Sequence, residues 1–284
     1  MTMVDQRSRD AAAHAAHAAS EAGVSIRLLD TVAEFTQVVE LFRSIWTSGS
    51  EQVPVNVEVL RALAKSGSYV AGAYDDDELV GACFGFFAAP ERRALHSHIA
   101  GVSERMRGRS VGFALKVHQR AWALDHDLDE ISWTFDPLIS RNAYFNLVKL
   151  AATPVSYHRN FYGQMRDALN GGDDTDRMLV TWFVRDPRVE AVCAGRPVQT
   201  PPPASEALLS RSEADEPVRH DADGRFVRVR LPHDIERIRR DDPARATRWR
   251  IALRESLGEL LDGGARVISF DRTDTYTIDR GEQP

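Results

Sequence analysis

The sequence predicts an α/β protein, a sheet of about seven strands flanked by helices, followed by a smaller C-terminal strand-helix-strand piece. Three observations carry that prediction. A hairpin is written in Ser68 to Tyr74, the acidic turn Asp75 to Glu78, and Leu79 to Phe87; the near-continuous apolar character of its second arm predicts a central strand covered on both faces. Phe35, Val38, Val39, Phe42 and Trp46 recur at helical spacing, as do Phe113, Val117, Ala121 and Leu124. Between an alternating stretch, Ala94 to Gly101, and the second of these helices lies an arginine- and glycine-rich turn.

The remaining elements follow in order. Residues 1–22 are polar and then alanine-rich, with no amphipathic stripe, which predicts a frayed helix or disorder. Val24 to Leu29 reads as a first strand, and Asp30 or Thr31 as the cap of the first amphipathic helix. A polar loop, Thr47 to Pro54, precedes a short helix from Asn56 to Lys65 that ends at Ser66-Gly67. Glu130 to Phe135 is a fifth strand stopped by Asp136-Pro137, and Ser140 caps a helix running from Arg141 to Leu150. Val155 to Tyr162 and Met178 to Val184 complete the sheet across a glycine-containing loop.

From Arg185 the composition changes, and the prolines at 201–203 suggest a linker. Phe226 to Leu231 is then a strand, a helical region follows with a break near Pro243, and Ala265 to Phe270 is a last strand. The expected organisation is therefore a tail (1–22), a main domain (23–186), a linker (187–222) and an extension (223–284) that packs on the main domain.

Composition bounds the function. The chain has 284 residues, a net charge of −6, 43% hydrophobic and 27% charged residues, which is the profile of a globular protein with no bias toward nucleic acid or membrane. Cys83 and Cys193 provide no metal-ligand spacing and no disulfide framework. With no long apolar run and no secretory h-region, a cytoplasmic location is expected.

The turn is where chemistry is indicated. Val102-Ser-Glu-Arg-Met-Arg-Gly-Arg-Ser-Val-Gly112 places several backbone N–H groups at a helix N-terminus, where the helix dipole favours an anion such as phosphate. Ser110 and Gly112 are small enough for close approach, and Arg105, Arg107 and Arg109 add positive charge.

This stretch resembles the acetyl-CoA-binding motif of the GNAT N-acetyltransferase superfamily, roughly Val-x-Pro-x-Tyr-Arg-Gly-x-Gly-Ile-Gly before an amphipathic helix. The resemblance implies a mixed, mostly antiparallel sheet whose fourth and fifth strands splay apart. It also implies acetyl-CoA, or another acyl-CoA, as co-substrate with no metal. The pantetheine arm would pair with Ala100, Gly101 and Val102, and the pyrophosphate with Arg107, Gly108, Arg109, Ser110, Val111 and Gly112. Ser110 departs from the family's glycine, so its φ must stay negative or carry strain.

Transfer to an amine needs a base and a way for the thiolate to leave. Where many relatives carry a strand-four carboxylate, this chain has His96 and His98, read either as the base or as a polar wall. The family's acid tyrosine maps onto Leu147, which leaves Tyr144, Tyr157, His158 or Tyr162 as substitutes. Glu51, Trp133, Asp136 and Asn142 are candidate acceptor contacts, with Trp133 reading rather as core and Asp136 either as a contact for a cationic acceptor or as the start of a turn.

The resemblance implies a small amine or amino-acid-like acceptor and direct transfer in a ternary complex. Two other readings stay open: a GNAT-fold binding module that has lost catalysis, or transfer from an acidic carrier protein. The second would use the arginine-rich segment from Arg225 to Arg254, whose default reading is a solvated helix face. A homodimer is compatible with the apolar residues of the extension; no nucleic-acid or membrane partner is expected.

Overall fold

The computed structural model describes residues 3–46, 54–163, 173–196 and 201–281. In chain order the first elements are α1 (Met3–Glu21), β1 (Ser25–Leu28), α2 (Val32–Trp46), α3 (Val57–Lys65), β2 (Val70–Asp75), β3 (Glu78–Phe87) and β4 (Ala94–Val102). They are followed by α4 (Val111–Asp125), β5 (Glu130–Phe135), α5 (Ser140–Ala143), β6 (Thr153–His158), β7 (Arg177–Phe183) and α6 (Pro187–Cys193). The rest comprises β8 (Glu206–Arg211), β9 (Pro217–Arg219), β10 (Phe226–Arg230), α7 (Ile235–Asp241), α8 (Pro243–Leu253), α9 (Glu259–Asp262), β11 (Arg266–Phe270) and β12 (Thr275–Asp279).

Seven strands hydrogen-bond in the order β1-β2-β3-β4-β5-β7-β6; β1–β2, β2–β3, β3–β4 and β6–β7 pair antiparallel and β4–β5 parallel. The expected mixed, mostly antiparallel sheet of about seven strands is thus the fold. The chain divides into two compact units, residues 1–133 with 182–196 and residues 134–181 with 197–284, so β5 and β7 each contribute to both.

In the first unit, strand alternation sends neighbouring residues to opposite faces. Ala82 and Phe84 of β3 meet Phe35, Val38 and Phe42 of α2 and Leu60 of α3 in one core. Gly81, by contrast, lies against Val111 and Leu115 of α4; a Cβ there would come within 3.1 Å of Val111. Residues 1–22 depart from the expected tail. Of the frayed helix or disorder expected there, Met3–Glu21 form the helix α1, with Ala11, Ala15 and Ala18 buried and Ala22 buried just after it. Those alanines, three or four residues apart, make a flat stripe that lets α1 lie against α4. A stripe of methyl groups has almost no amphipathic signature, which is why periodicity missed it.

Two further expectations are corrected beyond residue 186. The segment read as a linker contains α6, β8 and β9, and the extension is a five-stranded sheet ordered β11-β12-β10-β8-β9 rather than a strand-helix-strand. Its interior strand β12, buried along its length, pairs antiparallel with both β10 and β11. The alternating threonines of Thr275-Tyr-Thr-Ile-Asp279 hid it. The break near Pro243 is confirmed: Asp234 caps α7 and Asp242 caps α8, each accepting from a backbone N–H, with Pro243 at the first helical position. The helix expected to Leu150 is only α5, followed by a π-helical turn from Tyr144 to Lys149.

Candidate active site

β4 is the element on which the site is built. It pairs with β3 from Phe87↔Leu95 to Gly81↔Val102, but with β5 only at Ala94↔Glu130, Leu95↔Ile131 and His96↔Ser132. Beyond His96 the described residues show no further β4–β5 pairing, so the edge of β4 toward Val102 is left open. A bulge adds to the opening. Ser97 pairs with Gly85 and Ile99 with Phe84, which makes His98 the extra residue. Gly85 is required there, because a Cβ would stand 2.6 Å from the His96 carbonyl oxygen. At the other end Gly101 is packed against Trp46, whose ring a Cβ would approach to 2.7 Å.

After β4 the chain turns through Glu104 to Met106, anchored by the buried Met106 side chain. Backbone N–H groups of Arg107 and Arg109 donate to Glu104 and Met106 carbonyls. Gly108 has φ +82°, and the space a Cβ would fill is empty. Ser110 has φ +62° and its hydroxyl caps nothing, so the first turn of α4 has no side-chain cap. Of the two outcomes the sequence allowed for Ser110, the structure shows the strained one, at a cost of about 1 kcal/mol.

The arginines divide. Arg105 is held by Asp75 and Glu78, each at 2.8 Å, and Arg107 by Glu104. Arg109 has no carboxylate partner among the described residues; its guanidinium reaches the Met106 Sδ at 3.5 Å.

His96 and His98 stand together, ring centroids 6.0 Å apart. His96 Nδ1 is 3.3 Å from the Ser132 hydroxyl on β5. Burial, then the neighbouring His98, Lys116 and Arg92, push the His96 imidazole down to about 4; burial also lowers His98. Both rings are therefore neutral at physiological pH.

Beneath them lies a group that sequence reasoning missed. Lys116 of α4 is fully buried, donating to the Ser97 hydroxyl at 2.8 Å and to Gln119 Oε1 at 3.1 Å, with its ammonium 3.7 Å from the centre of the Trp133 ring. Burial lowers it to about 8. The signal was there: a lysine within a buried helix, in a chain whose other lysines are only Lys65 and Lys149. Of its two readings, acceptor contact or core, Trp133 takes the core one expected, edge-on to Trp182.

The other candidates among the described residues belong to the second unit. Tyr157 is corrected: its buried hydroxyl donates to Asp176 at 2.6 Å, and burial raises its pKa, so it is committed to packing. Asp136 is corrected too. It is buried and accepts from Arg239 and Arg250, which hold its carboxyl far below the usual carboxylate range despite burial. Tyr144 lines an open cavity with Lys149 and Arg272, the Arg272 guanidinium 5.6 Å from its ring centre. Asn142 is half-buried, His158 bonds Ser156, and Tyr162 bonds Thr134; Glu51 lies outside the described residues.

The arginine-rich segment is not the bare solvated face expected. Arg239, Arg250 and Arg254 turn inward to Asp136, Asp173, Asp174 and Asp176, while Arg225, Arg237, Arg245 and Arg248 pair with Asp279, Asp241, Asp242 and Glu216.

An open fourth strand is thus followed by a glycine-containing turn into a helix whose first turn has no side-chain cap. Residues 6–145 match the family model described as the acetyltransferase (GNAT) domain. That part of the chain is a GNAT acetyltransferase domain, and an N-acetyltransferase is the class of enzyme it indicates.

Similar solved structures include the ribosomal-protein-S18-alanine N-acetyltransferase of Escherichia coli (10% identity, 57% of this chain and 94% of that one, TM-score 0.45). Others are the ribosomal-protein-alanine N-acetyltransferase of Brucella melitensis (16%, 56% and 99%, 0.47) and a GNAT-family acetyltransferase of Streptococcus pneumoniae (11%, 56% and 99%, 0.47). At those identities and scores the likeness carries no acceptor across. A search of curated proteins found no match. Among the described residues no cluster of three or more His, Cys, Asp or Glu could hold a metal ion, and no helix is long and apolar enough to cross a membrane.

Proposed function

We propose that the chain transfers an acyl group, acetyl in the first instance, from an acyl-CoA directly to a small primary amine in a ternary complex. The observation that carries this reading is the freedom of β4 from β5 after His96, immediately ahead of the uncapped turn. Backbone N–H groups of Gly108, Ser110, Val111 and Gly112, with the side chain of Arg109, fit the pyrophosphate; Ala100, Gly101 and Val102 offer the backbone for the pantetheine arm.

The amine nitrogen attacks the thioester carbonyl, the carbon–sulfur bond breaks, and an amide forms. The ammonium loses its proton to solvent before attack; the proton the nitrogen sheds as the amide forms passes by way of His96, with His98 beside it, to the departing thiolate, which ends as free thiol. The thiol's ordinary pKa makes the thiolate an adequate leaving group without a dedicated acid. With the arginines of residues 225–254 so largely paired to acids, the reading with a carrier-protein donor has no specific observation in its favour.

The test joins calorimetry with acetyl-CoA to a thiol-release assay over a panel of amines. Saturable binding and amine-dependent thiol release are expected. A His96→Ala variant should bind acetyl-CoA as before and lose roughly 10²-fold or more in kcat. Absence of heat, or an unaffected kcat, would remove the cofactor or the base from this reading respectively.

A further inference from the structure

The open end of β4 is lined by rings. Phe86 of β3 lies 5.3 Å from His96 and 5.8 Å from His98, measured between ring centroids, and Phe84 lies 5.5 Å from His98. With His96 and His98 only 6.0 Å apart, four rings form one contiguous strip along β3 and β4. Phe84 is buried and continues the strip into the core through Phe42 and Trp46, the residue against Gly101. Phe86 is not buried: it is 37% exposed, a large apolar ring presented to solvent beside the proposed base.

Charge narrows what would cover it. The ionisable neighbours acting on His96 are His98, Lys116 and Arg92, none of them acidic. Glu130, at the start of β5, is spent on Arg92 at 2.8 Å. Lys116 beneath has only neutral partners in Ser97, Gln119 and the Trp133 ring. An acceptor carrying a second ammonium group would meet no carboxylate on this strip, and the buried cation below would repel it. A flat, uncharged group would instead gain ring-on-ring contact and remove Phe86 from water.

We infer that the Phe84–Phe86–His96–His98 strip is the acceptor subsite, and that it selects primary amines bearing an aromatic or comparably flat apolar group over polyamines. This deepens the reading above and rests on it: the strip seats the flat group while His96 receives the proton of the attached amine. Phe86 acts in specificity, through binding of the acceptor alone.

The experiment compares 2-phenylethylamine with spermidine as acceptors, scored by thiol release from acetyl-CoA, in the full chain and in Phe86→Ala and Phe86→Leu. Calorimetry with acetyl-CoA runs alongside each variant. The aryl amine should have the higher kcat/KM. Phe86→Ala should raise its KM about tenfold with little change in kcat, and Phe86→Leu should recover part of that loss, with acetyl-CoA affinity constant throughout. Spermidine turning over as well as or better than the aryl amine, or a KM indifferent to Phe86→Ala, would overturn the subsite while leaving the acyltransferase intact. Thiol release from neither amine, with no heat from acetyl-CoA, would instead bring down the underlying reading and this inference with it.

Discussion

The two units bury charge in opposite ways. In the second, each interior charge named here has its complement: Asp136 and Asp173 sit between Arg239 and Arg250, and Asp176 takes Arg254 and the Tyr157 hydroxyl. In the first, among the described residues, Lys116 is interior with neutral partners and His96 and His98 have no acid acting on them. Paired charges keep their charged forms; Asp136 is held well down and Arg250 well up, each by the other. Unpaired ones are pushed toward neutrality, His96 to about 4 and Lys116 to about 8. The first pattern is the mark of architecture. The second collects beside the open strand, where a neutral base is useful.

Breaking the paired side should have the largest effect. Asp136→Ala leaves two arginines, Arg239 and Arg250, buried about a shared vacancy with only Asp173 to answer them. The expected loss is about 3–5 kcal/mol in denaturant unfolding, because an uncompensated buried charge costs far more than the pair contributes. Replacing Asp136, Arg239 and Arg250 together by leucine or methionine should restore most of that loss. A single substitution costing under about 1 kcal/mol would mean that the cluster is wetter than its burial says.

The unpaired side should respond less, and in a pH-dependent way. The folded Lys116 ammonium titrates at about 8 against an ordinary 10.5, so between those values the unfolded chain holds a proton that the folded chain has lost. This group's contribution therefore grows as pH rises from 8 toward 10.5, by up to about 1.4 kcal/mol per pH unit, and is absent below 8. Lys116→Met should flatten that slope while leaving stability at pH 7 within about 1.5 kcal/mol. An unchanged slope would place the titration elsewhere.

How much of this was legible in the sequence follows the same division. Local signals fixed the seven-stranded sheet, the turn at 107–112 and the proline break, since each depends on residues close together in the chain. The pairing of Asp136 with Arg239 and Arg250 was illegible: it joins residues over a hundred positions apart, and isolated arginines at helical spacing read as a wet surface. Lys116 was hidden because α4 is buried nearly all round, so its stripe could not exclude one more interior position. The ring strip lay half in view. His96 and His98 stood out, but the bulge that draws them toward Phe86 depends on a register shift opposite Gly85, which no spacing records.

The smallest expected effect sharpens the comparison at the turn itself. Ser110 holds φ +62° without capping the helix, so its side chain contributes no hydrogen bond to offset the crowding of its Cβ. Ser110→Gly removes that crowding, worth about 1 kcal/mol, but loosens the unfolded chain by about 0.4–1 kcal/mol. The net change should be a stabilisation of a few tenths of a kcal/mol, read as a small rise in the denaturant midpoint. Gly108→Ala is the opposite case. At φ +82° with open space around it, alanine meets no neighbour, and its whole penalty is conformational, about 1 kcal/mol against stability. Acetyl-CoA affinity separates the two roles of the loop. If the backbone N–H groups already point at the phosphates, Ser110→Gly leaves affinity within about threefold, whereas Gly108→Ala, by turning the chain out of the left-handed region, weakens it by more than that. Equal losses from both would show that the side chain of Ser110, rather than its backbone, is what the cofactor meets.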